Sequence, residues 1–343
     1  MNTLNNKWHN LDYPDNILKA GYIEWKYFNF TSPDISGIFV YLIADPLNIT
    51  VRGGGRVIAK IFNREKIFRG VEKVSMSEVT PSKKNAGIVM KKNSISICGE
   101  NYQLKGGVKD ISWDLKYSPQ TPPIRGFTKL GIDPLHLEKI SWFIKMPKAK
   151  VDGYIKIKGK KIKINGSGYS DANWGELAPV VMRLNWAQYD DNKFSVVVGE
   201  TENFEIGKKK FGQWSEIFIF YQNKRIVFTK ENIKVEHLKW ATVPGSKIKA
   251  PSITKVEAEN KTHKLSLVLK TKLSDPLYFD MPFSIPLRQV VIEQTASFRG
   301  EFSKKSKGKT KILHTIKGDG FKEYTLREIS FRHKKSSKSG VVV

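Results

Sequence analysis

Apolar and polar residues alternate with a period of two along most of this chain, and the longer period of amphipathic helices is scarce. The clearest segment is 153–164, where isoleucines occupy one face and lysines the other on both sides of a turn at Gly159 and Lys160. This pattern predicts a half-buried antiparallel hairpin. Polar turn residues between apolar runs predict two more hairpins, at 185–198 and 217–228.

Further strands are predicted at 37–44, 88–98, 265–269 and 289–299, and the glycine run 53–55 is predicted to be a turn or bulge. Many short strands separated by turns every roughly 8–12 residues are typical of β-sandwiches and barrels. We therefore predict an all-β chain of antiparallel strands.

The length of 343 residues suits two domains better than one. We predict an N-terminal β-domain over 1–165 and a C-terminal β-domain over 166–330. The remaining segment, 331–343, is basic and poor in apolar residues, so it is predicted to be a disordered tail.

The net charge of +26 comes mainly from lysine, with 48 Lys against 11 Arg. Lysine acts as a solvated point charge, whereas bidentate recognition of phosphates and bases favours arginine. Three interpretations remain open: a solvated surface, peripheral contact with an anionic membrane, and binding of nucleic acid. No nucleic-acid-binding signature is visible, so no specific nucleic-acid partner is predicted.

The single cysteine, Cys98, excludes an intramolecular disulfide and a cysteine-based metal cluster. No metal site is predicted, because the six histidines lack the spacing of metal ligands; they are residues 9, 136, 237, 263, 314 and 333. The sequence also lacks a phosphate-binding loop, a nucleotide fingerprint and a nucleophile elbow.

No segment has the features of a signal peptide, and none is an uninterrupted apolar span of about 18 residues. We therefore expect a cytoplasmic protein, soluble or peripheral to a membrane.

The most informative segment for chemistry is 168–176, which holds Tyr169, Asp171, Asn173 and Trp174. Tyr169 and Asp171 are two residues apart, which puts both side chains on one face of a strand and lets the phenol orient the carboxyl group. In an apolar pocket, desolvation would raise the pKa of Asp171 and make it a proton donor. The alternative is a tight turn in which Asp171 accepts hydrogen bonds from the backbone or Asn173.

A second segment with a carboxylate beside aromatic residues lies at 24–28. In a strand, Glu24 and Lys26 share one face, which favours an ion pair, and Trp25 and Tyr27 share the opposite face.

Five segments, in this order along the chain, resemble the superfamily of carotenoid hydratases (hydroxyneurosporene synthases), tocopherol-cyclase-like proteins and lipocalin-like pericyclases. They are Glu24-Trp25-Lys26-Tyr27-Phe28, the segment from Trp142 to Gly153, Gly168-Tyr169-Ser170-Asp171-Ala172-Asn173-Trp174-Gly175, Trp186-Ala187-Gln188-Tyr189-Asp190-Asp191, and Gly318-Asp319-Gly320-Phe321-Lys322-Glu323-Tyr324. The resemblance implies two lipocalin-like domains, an apolar ligand cavity between or within them, and no metal or organic cofactor.

The same resemblance implies that Asp171 and Tyr169 are catalytic. It implies a ligand-binding role for Trp142, Trp174, Asn173, Trp25, Tyr27, Glu24 and Trp186. The family also has a histidine just before the tryptophan at 142, where this chain has Lys139-Ile140-Ser141.

Two functions follow as hypotheses. The first is a cofactor-free enzyme that hydrates or cyclises an isoprenoid or polyene by acid catalysis, or folds it for a pericyclic step. The second is a non-catalytic lipid carrier of the same fold that associates with anionic membranes.

Overall fold

The computed structural model describes residues 22–44, 53–64, 66–82, 87–131, 139–176, 183–202, 204–206, 209–211, 214–280, 287–306 and 309–329. Antiparallel strands dominate these residues, and none of them lies in an α-helix. The predicted all-β class is therefore confirmed. Within this part of the chain no helix has the length and hydrophobicity to span a bilayer. The predicted tail at 331–343 lies outside the described residues.

The chain divides into two compact units, Met1–Val180 and Val181–Val343. The strands of the first unit are β1 (Tyr22–Ser32), β2 (Ile35–Ala44), β3 (Gly54–Asn63), β4 (Lys66–Val74), β5 (Val79–Pro81), β6 (Ile88–Met90), β7 (Asn93–Cys98), β8 (Asn101–Val108), β9 (Ile111–Pro119), β10 (Ile124–Gly131), β11 (Lys139–Ile157) and β12 (Lys160–Glu176). A 3-10 turn at Met76–Glu78 precedes β5.

The strands of the first unit form one curled sheet in the order β4-β3-β2-β1-β12-β11-β9-β8-β7-β6-β5, and β10 pairs with β11. Phe28 and Phe30 of β1 pack into the core of this sheet with residues such as Trp113 and Tyr117 of β9. All five residues from Lys26 to Phe30 are buried, so both faces of β1 are covered here. A residue pointing away from the core in this strand is thus still shielded from water.

The strands of the second unit are β13 (Arg183–Asp190), β14 (Phe194–Glu202), β15 (Phe204–Ile206), β16 (Lys209–Phe211), β17 (Trp214–Tyr221), β18 (Lys224–Thr229), β19 (Ile233–Thr242), β20 (Lys249–Glu259), β21 (His263–Asp280), β22 (Leu287–Ser306) and β23 (Lys309–Ile329), with a 3-10 turn at Lys230–Asn232. Nine of them form a curled sheet in the order β18-β17-β14-β13-β23-β22-β21-β20-β19, and β15 pairs with β16. The core of this sheet includes Phe194, Val196, Leu265, Leu267 and Phe298.

The three predicted hairpins are present as β11–β12, β13–β14 and β17–β18. The prediction of one strand over 88–98 is wrong, because β6 and β7 form a hairpin there and Lys91 adopts a φ of 57° at its turn. Part of the glycine run at 53–55 continues as the first residues of β3, where Gly54 pairs with Ala44.

The division between the units differs from the predicted boundary at 165/166, which falls inside β12. β12 is hydrogen-bonded to β1 on one side and to β11 on the other, with Ser167 paired to both Thr31 and Lys150. The segment with the candidate chemistry is therefore a central strand of the first unit.

Candidate active site

The candidate acid Asp171 lies in the middle of β12, where it is paired with Tyr27 of β1 and Ile144 of β11. The whole of 168–175 is strand, so the alternative prediction of a tight turn does not describe this segment. Because successive residues of a strand point to opposite faces, Tyr169, Asp171 and Asn173 share one face. The predicted common face of Tyr169 and Asp171 is confirmed by a direct hydrogen bond between them.

The two carboxylate oxygens of Asp171 have different surroundings. Oδ2 accepts a hydrogen bond from the Tyr169 hydroxyl at 2.8 Å and another from Nε1 of Trp142 at 2.8 Å. Oδ1 is buried, and no described residue is its hydrogen-bond partner. A proton on this carboxyl group therefore resides on Oδ1, since the lone pairs of Oδ2 already accept from two donors.

Burial raises the pKa of Asp171 to about 6 from an ordinary value of 3.8. The hydrogen bonds from Trp142 and Tyr169 and the charge of Lys145 oppose this rise, because each favours the carboxylate. The side chain is only 5% exposed, which explains why desolvation is the largest influence. The result is a carboxyl group that releases a proton near neutral pH.

Aromatic residues lie on the same face of the sheet as Tyr169 and Asp171. The ring of Tyr27 packs edge-on against that of Tyr169, with 6.2 Å between the ring centroids. Trp25 is paired with Asn173, which is paired on its other side with Trp142. The structure thus brings together five of the predicted site residues around Asp171, and the predicted common face of Trp25 and Tyr27 is confirmed.

A glycine and a phenylalanine of β10 fix the position of the Trp142 indole. A Cβ atom at Gly126 would lie 2.5 Å from Cε3 of Trp142, so only glycine lets the strand approach this ring so closely. The ring of Phe127 lies 5.9 Å from that of Trp142, measured between centroids. The indole that holds Asp171 is therefore itself held by β10.

Two predicted site residues, Glu24 and Trp174, lie on the opposite face of the sheet. They are paired with each other, and Trp174 packs against the core of the first unit. Glu24 is buried, and its Oε2 accepts a hydrogen bond from the Tyr22 hydroxyl at 2.7 Å. Lys26 shares this face; burial lowers the pKa of Lys26 to about 8, and the charge of Glu24 opposes the fall. Ligand contacts by Glu24 and Trp174 stay a prediction.

Sequence reasoning missed Lys145, which lies at a β-bulge between Ile144 and Met146. Its side chain is 3% exposed, and its Nζ has no hydrogen-bond partner among the described residues. The nitrogen lies 5.7 Å from the ring centroid of Phe28. Burial and the charge of Lys26 hold the pKa of Lys145 well below its ordinary value, opposed by Glu24 and Asp171. Its only signal in the sequence is one lysine inside the apolar run 142–146.

The remaining predicted residue, Trp186, belongs to β13 of the second unit and is 7% exposed. It lines a pocket of that unit together with Lys322 and Tyr324.

Among the residues that the structure describes, no three histidine, cysteine, aspartate or glutamate side chains lie close enough to hold a metal ion. The absence of a metal or organic cofactor stays a prediction.

No protein-family model and no curated protein matches this sequence. Solved structures, in contrast, match over nearly the whole chain. An AttH-type protein from Nitrosomonas europaea has a TM-score of 0.62 at 14% identity, over 92% of this chain and 97% of its own. CghA in complex with Sch210972 has a TM-score of 0.62 at 10% identity, over 89% and 88% of the two chains.

Kievitone hydratase from Nectria haematococca is similar as well, with a TM-score of 0.59 at 13% identity over 91% of this chain and 90% of its own. At such identities the likeness establishes the fold. The chain is thus a protein of two lipocalin-like β-domains, as predicted.

Proposed function

We propose that this protein is a cofactor-free enzyme that protonates an apolar isoprenoid or polyene substrate, with Asp171 as the acid and Tyr169 as its partner. The observation that carries the proposal is the asymmetry of the buried carboxyl group, in which Oδ2 accepts from two donors and Oδ1 has no partner among the described residues. In the proposed reaction the proton on Oδ1 passes to the substrate, while the two donors stay in place to stabilise the carboxylate that remains.

The reaction begins when the π electrons of a substrate alkene take the proton from Oδ1, which forms a C–H bond and a carbocation. Asp171 becomes a carboxylate, and the hydrogen bonds from Tyr169 and Trp142 stabilise its charge. A water molecule that adds to the cation gives an alcohol, and an internal alkene or hydroxyl group that adds gives a ring. The proton lost in this second step returns to Asp171.

Aromatic side chains on the Asp171 face suit a cationic intermediate. A ring face near a cation stabilises it by about 1–2 kcal/mol when water is excluded. Trp142 and Tyr169 lie directly beside the carboxyl group, and both are buried. The name of kievitone hydratase also supports a hydration on this fold, although that similarity is one of fold.

The test is incubation of the protein with a lipid and isoprenoid extract of its source cells in D₂O, followed by mass spectrometry. Protonation at carbon leaves one deuterium in the product that does not exchange. Hydration also adds the mass of one water, and cyclisation gives an isomer. Asp171→Asn should give no product, while the matched control Asp152→Asn, which removes an exposed carboxylate of β11, should react as wild type.

A product without deuterium at carbon would contradict the proposed proton transfer. It would instead favour a pericyclic step promoted by positioning of the substrate. Products from Asp171→Asn equal to those of wild type would contradict the role of Asp171.

The lysine-rich composition favours a second candidate function, a lipid carrier that docks to anionic membranes. A carrier would return the extracted lipid unaltered from both wild type and Asp171→Asn. It would also sediment with vesicles containing phosphatidylserine and lose this binding steeply as salt rises.

A further inference from the structure

The edge strand β19 of the second unit exposes two large apolar side chains close together. β19 is the last strand in the order of its sheet, next to β20. Trp240 is 47% exposed, more than any other aromatic residue whose side chain the structure describes. Leu238, at a β-bulge between His237 and Lys239, is 54% exposed. Neighbouring apolar side chains exposed on an edge strand are a feature of binding surfaces.

The indole of Trp240 is supported by the protein on one side. Its ring lies edge-to-face with that of His237, with 5.5 Å between the centroids, and with that of Tyr324, with 5.6 Å. Tyr324 is buried and belongs to an apolar cluster of the second unit. The orientation of the exposed ring is therefore fixed, and a fixed side chain loses little conformational entropy when it binds.

Three exposed lysines surround this indole. Lys239 precedes it in β19, and Lys247 lies in the turn between β19 and β20. Lys249 of β20 is paired with Thr242, which is two residues from Trp240, so Lys249 lies on the same face of the sheet as the indole. None of the three lysines forms an ion pair with a carboxylate of the described residues. The surroundings of the indole therefore carry positive charge without a counterion.

The turn that carries Lys247 is anchored in the core. Val243 and Ile248 are buried, and the backbone N–H of Val243 donates to the carbonyl oxygen of Ile248 at 2.8 Å. The hydroxyl of Ser246 donates to the carbonyl oxygen of Val243 at 3.0 Å and accepts from the N–H of Ile248 at 3.1 Å. These contacts hold Lys247 beside the strand that carries Trp240.

The chemistry of this surface fits an anionic lipid membrane. Tryptophan is enriched at membrane–water interfaces, because its ring is apolar and its N–H needs a hydrogen-bond acceptor. Nearby lysines add attraction to anionic headgroups. Segment 237–256 contains neither acidic residues nor arginine, the residue that recognition of nucleic acid favours. A membrane therefore matches both the apolar and the charged parts of the surface.

We propose that this surface docks the protein to an anionic membrane. The Trp240 surface consists of Leu238, Lys239, Trp240, Lys247 and Lys249. In the docked state the two apolar side chains enter the interfacial layer, and the lysines contact headgroup phosphates. Docking is compatible with either function proposed above, since an apolar substrate or cargo dissolves in the membrane. It does not depend on Asp171.

The experiment is sedimentation of the full chain with lipid vesicles. Wild type should bind vesicles of phosphatidylcholine with about one third phosphatidylserine, and should bind phosphatidylcholine alone at least roughly tenfold more weakly. Trp240→Ser and Leu238→Ser should each weaken binding to the mixed vesicles roughly fivefold or more, because each removes an apolar group from the interface. The matched control is Ile312→Ser, which removes another exposed apolar side chain of the second unit and should bind as wild type.

A second pair of variants separates this surface from the overall positive charge. Replacement of both Lys247 and Lys249 by glutamine should weaken binding to the mixed vesicles about 30-fold. Replacement of both Lys160 and Lys163, exposed lysines of β12, removes the same charge and should weaken binding less than about threefold. Equal losses in the two double variants would show that net charge alone governs binding, and would overturn the proposal.

Binding of the mixed vesicles by Trp240→Ser and Leu238→Ser at the level of wild type would also overturn it. So would wild type that binds a single-stranded oligonucleotide through Trp240 and does not bind the vesicles. Should Trp240→Ser not fold, Leu238→Ser and the two double lysine variants decide. Asp171→Asn should bind vesicles as wild type does, so failure of docking and failure of the proposed acid chemistry are separate results.

Discussion

Trp142 and Asp171 are 29 residues apart in the chain, and Nε1 of the indole donates a hydrogen bond to the carboxylate at 2.8 Å. The bond joins neighbouring strands, because β11 and β12 pair in a register that places Trp142 opposite Asn173 and Ile144 opposite Asp171. The Asp171 carboxyl group is thus oriented by a residue of its own strand, Tyr169, and by a residue of the next strand, Trp142. Two donors on one oxygen leave the other oxygen as the position of the proton.

Replacement of Asp171 by asparagine is expected to abolish turnover and to stabilise the fold at neutral pH. A rise of the pKa from 3.8 to about 6 means that the native state holds this proton more tightly than the unfolded state. The associated stability is complete below pH 3.8 and is lost as pH rises through about 6, a loss of about 3 kcal/mol at pH 7. Asparagine avoids this loss and still accepts both hydrogen bonds.

Urea denaturation at pH 4.5 and pH 7.5 measures this effect. The advantage of Asp171→Asn over wild type should grow from the lower to the higher pH, and Asp152→Asn should stay within about 0.5 kcal/mol of wild type. An Asp171→Asn protein that is less stable than wild type at pH 7.5 would show that the carboxylate stabilises the fold.

The rate should depend on pH through the protonated fraction of Asp171. With a pKa of about 6, the rate is highest below this value and decreases about tenfold per pH unit above pH 7. Single-turnover rates between pH 5 and pH 8.5, with stability checked at each pH, measure the profile. A flat profile over this range would contradict the assignment of Asp171 as the acid.

Tyr169→Phe should shift this profile to higher pH. The phenol donates to the charged form of Asp171, so its loss weakens the carboxylate and raises the pKa further. A hydrogen bond to a charged group contributes about 1.5–3 kcal/mol, which corresponds to about one to two pH units. Tyr154→Phe, at a partly exposed tyrosine of β11, is the control and should leave the profile unchanged. A purely structural role of Tyr169 predicts loss of stability with the original pH dependence.

Gly126→Ala should disturb Asp171 without touching it. The new methyl group would lie 2.5 Å from Cε3 of Trp142, so the indole must move and its hydrogen bond to Asp171 lengthens. Overpacking of this kind costs about 1–3 kcal/mol of stability, and loss of the hydrogen bond reduces turnover roughly tenfold. Turnover and near-ultraviolet circular dichroism report the two effects. An unchanged turnover would show that Trp142 is not needed to orient the acid.

Lys145→Met should stabilise the protein. The depressed pKa of Lys145 means that the unfolded state binds this proton more tightly, so the native state gains stability as pH rises towards 10.5. The variant should therefore be more stable than wild type at pH 7, with an advantage that disappears near pH 10.5. Denaturation of this variant and of Lys116→Met, at an exposed position of β9, checks the prediction. A destabilised Lys145→Met would indicate that the amine binds an anion.

The fold was predictable because nearly every strand carries its own alternation and its own turn residues. The hairpin at 88–98 was not, since its turn is made by Lys91 with a positive φ, where glycine or asparagine would have been the usual signal. The units also divide at 180/181, after β12 has completed the first sheet. Strand pairing decides such a boundary, and spacing in the sequence does not reveal it.

Within the site, the spacing of Tyr169 and Asp171 predicted their common face, since that relation lies inside one strand. Lys145 and Gly126 were beyond sequence reasoning, because their contacts depend on a bulge in β11 and on the register of β10. Four of the described lysines, Lys26, Lys60, Lys145 and Lys322, are buried in this lysine-rich chain. Charge along the chain was therefore a poor guide to exposure in this protein.

The central position of β12 also restricts how this segment can change. One face of β12 carries Tyr169, Asp171 and Asn173, and the other carries Gly168, Ser170 and Trp174. The neighbouring strands β1 and β11 are hydrogen-bonded to the two edges of β12. Insertion or deletion of one residue would exchange the two sets and turn the Asp171 side chain into the core. Changes in this segment are thus confined to the replacement of side chains, and changes of length are left to the connections between strands.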